Sequence, residues 1–139
     1  MPQSDWPIVR QGHSDNDAFG AVTIIQHLLN FHGGNVGVDG VFGPQTDAAV
    51  RDFERSRGLT VDGIVGNQTW EAMVVQVADG SRGDAVKAVQ SAFPGLDVDG
   101  IFGPSTEQAV RELQEMFGLT VDGIVGPETW FAIVIPKSE

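Results

Sequence analysis

Cysteine is absent from all 139 residues, so no disulfide, thiol nucleophile or thiolate metal ligand can form. Basic residues are scarce. Eight Lys and Arg stand against nineteen Asp and Glu, giving a formal net charge of −11. Nucleic acid needs cations to neutralise its phosphates, and an anionic membrane surface attracts basic segments, so neither is an expected partner. Long apolar runs are missing as well. The one that includes Ala132–Ile135 falls far short of the ~20 residues that cross a bilayer. Met1–Arg10 has no basic stretch followed by an apolar core, so no signal peptide is visible there.

What the chain does have is glycine, 18 residues of it, and an apolar fraction of 41% that fits a folded protein. It also has a repeat. Residues 38–73 align without gaps to 98–133, with about 22 of the 36 positions identical. Upstream, Val22–Gln26 matches Val86–Gln90 at an offset four residues larger, so the second copy is shorter after its first helix. The expected division is 1–78 and 79–139. A domain of about 60 residues buries only about 60% of its unfolded surface, so contact between the copies would help both.

Inside each copy a smaller unit recurs. V-D-G-x-x-G-x-x-T starts at Val38, Val61, Val98 and Val121. Asp-Gly supplies a turn, the aliphatic or Phe after it is expected to point inward, and the next Gly, followed by Pro44, Pro104 or Pro127, marks a helix start. Apolar spacing then predicts three helices per copy: about 18–31, 44–57 and 67–77, then 83–92, 104–117 and 127–134. The links at 58–61 and 118–121 read as extended, pairing with the segment before the first V-D-G. The expected fold class is all-α, two tandem three-helix bundles.

The string V-D-G-I-F-G-P-x-T-x-x-A-V, then G-L-T-V-D-G-I-V-G-P-x-T-W, closely resembles the peptidoglycan-binding domain found beside bacterial cell-wall amidases and endopeptidases. The resemblance covers nearly the whole chain, twice. It implies a three-helix module holding the stem peptide or glycan of peptidoglycan in a shallow cleft, with no cofactor. With so acidic a chain, that binding would come from a specific pocket rather than bulk charge. Glu54 stands where the pattern has Gln, while Gln114 keeps it. Copy two replaces the end of its first helix with Phe93-Pro94-Gly95, so the two clefts cannot be identical.

Candidate ligand-binding residues follow from the turns and the helix starts after them: Asp39, Phe42, Asp62, Gln68, Trp70, Asp99, Phe102, Asp122, Glu128 and Trp130. Each type has a structural reading beside the functional one. The aspartates are polar handles, or they bond the backbone of their own turn. The aromatics stack on sugar rings, or they fill the core with an indole edge lining the cleft. Thr46, Thr69, Thr106 and Thr129 read as local helix caps, and Asp15-Asn16-Asp17 as the N-cap of the first helix. The binding rim is expected where two V-D-G turns approach each other.

No catalytic residue and no metal site is expected. His13, His27 and His32 all lie in copy one without a zinc-ligand pattern, no motif places a pair of glycosidase carboxylates, and Asp97-Val-Asp99-Gly100 lacks the later ligands of a calcium loop. The reading is a non-catalytic module that anchors itself, or a partner such as a cell-wall hydrolase, to peptidoglycan. The alternatives are a protein-interaction, inhibitory or immunity module, or a structural part of a phage tail or secretion apparatus. A secreted or wall-associated location is expected from the resemblance, and without a visible signal peptide a cytoplasmic stay before release stays open.

Overall fold

The computed structural model describes residues 6–18 and 20–135. Among them are seven helices: α1 (Asp15–Ala18), α2 (Ala21–Phe31), α3 (Pro44–Ser56), α4 (Asn67–Met73), α5 (Asp84–Ser91), α6 (Pro104–Met116) and α7 (Pro127–Val134). The protein is all-α, with three main helices in each copy, α2–α4 and then α5–α7. Gly20 takes φ 85°, so α2 begins at Ala21 rather than near residue 18, and 15–18, whose first three residues were expected to be an N-cap, forms the separate short helix α1. The Asp15 carboxylate still accepts the N–H of Thr23 at 3.0 Å, capping α2 from one turn back.

In each copy the segment ahead of the first helix threads between the two V-D-G turns and pairs with both. Val9 exchanges two backbone hydrogen bonds with Val65, and Phe42 exchanges two with Gly12 and His13. Copy two repeats the arrangement with Val77 on Val125 and Phe102 on Gly80 and Ser81. The turns are therefore bridged by this segment, and the antiparallel pairs at Val65 and Val125 fall beyond the 58–61 and 118–121 links. That pairing also ends α4 early. Val74 turns to ψ 145°, so the helix stops at Met73 instead of Val77, and 74–77 runs extended. Three of those four residues are β-branched valines, which suit extended backbone.

The copies pack directly on each other, α2 lying along α5. Trp6 adds a second joint. Its ring stacks on Trp70 of copy one at 5.5 Å and meets Phe131 of copy two edge-on at 5.2 Å. Buried apolar side chains from both copies form one continuous core, which relieves the marginal burial of each small bundle.

Candidate functional site

A buried amide organises each V-D-G turn. Gln114 is 1% exposed. Its Oε1 accepts the N–H groups of Asp122 and Gly123 at 3.1 and 3.0 Å. Its Nε2 donates to Asp122 Oδ1, the Ile124 carbonyl and Thr129 Oγ1 at 3.0–3.1 Å. Gln26 makes the same five bonds at the first turn, and Gln90 makes four of them at the third. An amide is the one common side chain with an acceptor and two donors in this geometry. Only glycine suits the turn itself. Gly63 sits at φ 71°, and a Cβ there would collide with the Asp47 carboxylate.

The four aspartates do what the turn reading predicts, each accepting the N–H two residues on. Those bonds hold three of them below the usual carboxylate range: Asp39 chiefly through the Gln26 amide, Asp99 and Asp122 chiefly through the N–H groups of Ile101 and Ile124. The threonines depart from expectation. Thr46, Thr106 and Thr129 accept from the core glutamines, and none caps its helix, because the capping residues are Gly43, Gly103 and Gly126 with no side-chain bond. Of the apolar residues after Asp-Gly, Phe42 and Phe102 point inward as expected, with Val65 and Val125, while Val41, Ile101 and Ile124 face outward.

Phe42 and Phe102 are 1% exposed, and Trp70 and Trp130 are fully buried. These four candidates offer a ligand no face. Nor is an indole edge free, because Trp70 Nε1 donates to the Pro7 carbonyl and Trp130 Nε1 to that of Val75. The six polar candidates are exposed. Asp62 and Gln68 border one shallow depression of about 260 Å³, Asp122 and Glu128 an equivalent one of about 460 Å³, and Asp99 a third of about 370 Å³. Each is centred on a single turn and the helix after it, with Gln76 also lining the second and Gln90 the third. At the first turn the Gln45 side chain instead reaches back to the Gly37 N–H at 2.9 Å, near Asp39.

A larger concavity than these lies elsewhere. It holds about 530 Å³ between the end of α5 and the outer ends of α6 and α7. Leu113 and Ile133 form its floor, Phe93 and Phe117 its walls, and Met116, 75% exposed, its rim beside Glu112. Copy one shows why it is open. There α2 runs on to Phe31, and His32 follows in the four residues that copy two lacks. The His32 ring meets Phe53 at 5.0 Å, its Nε2 bonds the Met73 carbonyl at 2.9 Å, and its Nδ1 bonds Arg57 at 3.0 Å. Phe53, Met73 and Arg57 are the counterparts of Leu113, Ile133 and Phe117. Copy one thus fills with its own imidazole the space that stays open among the described residues of copy two, and keeps only about 200 Å³ there. Sequence reasoning registered the lost helix end but named none of Phe93, Leu113, Met116 or Phe117 as site residues.

Among the described residues no group of three His, Asp or Glu side chains could hold a metal ion, and no helix is long and apolar enough to cross a membrane. Comparison with known proteins finds the family described as a putative peptidoglycan binding domain at residues 20–73 and again at 82–133, most of the chain. The chain is similar to the N-acetylmuramoyl-L-alanine amidase CwlM of Mycobacterium tuberculosis, 40% identical over 103 residues, covering 62% of this chain and 25% of that protein. It also matches a zinc D-Ala-D-Ala carboxypeptidase of Streptomyces albus G, 35% identical over 90 residues, covering 60% of this chain and 34% of that one. Among solved structures, the SleB N-terminal domain is 38% identical with a TM-score of 0.44, covering 49% of this chain and 89% of its own. The chain spans about a quarter to a third of the length of these curated relatives. Two matches to one family, each on a bundle built around the same turns, make this chain a tandem member of the peptidoglycan-binding domain family.

Proposed function

We propose that the protein is a non-catalytic module that holds the stem peptide of peptidoglycan in the groove of copy two, with copy one as its structural support. The observation that carries this reading is the internal comparison: one groove is filled by His32, and its counterpart is open. A groove of about 530 Å³ lies within the usual ligand-site range. Its lining of Leu, Ile, Phe and Met favours small apolar side chains on a peptide backbone. Sugar rings there would bury hydroxyl groups against carbon, which is costly without partners. Glu112 on the rim gives a ligand ammonium or amide N–H an acceptor at the edge.

The named relatives are enzymes that this chain matches over a fraction of their length. That supports a role in which the module places a hydrolase, joined or bound to it, at the cell wall. Exposed Asp62, Gln68, Asp99, Asp122 and Glu128 would then be secondary polar contacts beside the turns. Co-sedimentation of the pure protein with purified sacculi tests the reading. Binding is expected, competed by soluble stem peptides and not by peptide-free glycan chains, with no soluble muropeptides released. Failure to sediment, or competition by glycan alone, would overturn it.

A further inference from the structure

The four V-D-G turns are a built-in control for one another, and one of them differs. At the second turn the central residue is Glu54, fully buried, where the others have glutamine. Its Oε1 accepts the N–H groups of Asp62 and Gly63 at 3.1 and 3.0 Å, the same distances as Gln114 Oε1 at the fourth turn. Its Oε2 is 2.9 Å from Thr69 Oγ1, so it stands where the amide nitrogen stands elsewhere. At the other turns that nitrogen donates to the aspartate Oδ1 and to the carbonyl two residues beyond it. At this one an ionised oxygen would face the Asp62 carboxylate and the Ile64 carbonyl with nothing to donate.

We propose that Glu54 holds a proton in its buried site, and that the second turn is a pH-dependent latch, shut while the proton is held and loosened when it is lost. With the proton in place, Oε2–H supplies one of the three donations that the amide makes elsewhere, and Thr69 Oγ1 donates to the carboxyl. Burial pushes Glu54 up from its ordinary value, and the facing Asp62 charge adds to the shift. The other charged groups near the turn are Asp47 and Arg51 of α3, which pair with each other at 3.0 Å over Gly63. Arg51 is engaged there and half exposed, so it does not neutralise the buried acid. A group whose folded value is raised contributes stability below its unfolded value and loses it as the pH rises through the folded one. The latch therefore loosens upward in pH, opposite to the three glutamine turns, whose aspartates are depressed. This inference is independent of which ligand the groove takes.

Carboxyl carbon titration and amide hydrogen exchange of the full chain test it. The Glu54 carboxyl should titrate above the ordinary glutamate value of about 4.3. Protection of the Asp62 and Gly63 amides should fall about tenfold relative to Asp122 and Gly123 as the pH rises through the Glu54 titration. Glu54→Gln, which copies the other three turns, should abolish that divergence. Titration of Glu54 at or below the ordinary value, parallel protection at the two turns, or divergence that survives Glu54→Gln would each overturn the proposal.

Discussion

Replacing each central residue by methionine, which keeps the length of the side chain but none of its polar atoms, measures what the buried amides contribute. Gln114→Met removes five hydrogen bonds at once. Asp122 is exposed, so its carboxylate regains water, and the Ile124 carbonyl lies near the surface. The Gly123 N–H and the Thr129 hydroxyl are buried and lose their partner. An orphaned buried polar group costs about 1–3 kcal/mol. Two such groups, with partial losses at the rest, come to about 3–4 kcal/mol, or about 10 °C in Tm for a chain of this size. Gln26→Met and Gln90→Met should cost about the same. Glu54→Met should cost about 1–2 kcal/mol less at neutral pH, because it also removes a buried acid. Calorimetric melts of the four variants decide the matter. A loss below about 1 kcal/mol for Gln114→Met, or equal losses at all four positions, would refute the reasoning.

Three further outcomes follow from the same packing. Trp130→Ala should cost about 3–5 kcal/mol as a core deletion, read in thermal melts, and an unchanged Tm would place the ring outside the core. Asp122 is held below its ordinary value, so its contribution is present above the unfolded value and is lost as the pH falls through the folded one. The stability gap between Asp122→Asn and the parent protein, from urea titrations, should therefore narrow in acid, and a constant gap would contradict this. A fragment starting at residue 74 should melt higher than one starting at 79, because 74–78 brings the Val77–Val125 pair and the Val75 carbonyl that Trp130 bonds. Equal melting points would show that the pairing is dispensable.

Much of the architecture is written locally. The repeat, the proline-started helices α3, α6 and α7, and the Asp-Gly turns follow from residues within a few positions of each other, and the structure agrees within a residue or so. What escaped depends on distant partners. Gln26 and Gln90 look like surface polar residues on their helices, and they become the centres of the turns only when the chain 13 to 20 residues later in copy one, and 9 to 16 later in copy two, folds over them. The overshoot of α4 has the same origin, since helical spacing continues through Val74 until Val77 finds Val125, 48 positions on. The groove was half legible. Phe93-Pro94-Gly95 marks a shortened helix, yet that His32 fills the matching space rests on a contact with Met73, 41 residues away.

The central claim is that copy two holds the ligand and copy one supports it, and a matched pair of rim substitutions tests it most directly. Met116 and Ser56 occupy equivalent ends of α6 and α3, each bordering its own groove, and both are exposed enough to accept a charge without unfolding the bundle. Sedimentation of Met116→Glu and Ser56→Glu over a range of sacculus concentrations gives an affinity for each. The account predicts about a tenfold or greater loss for Met116→Glu and unchanged binding for Ser56→Glu. Equal losses in the two variants, or full binding by Met116→Glu, would contradict it.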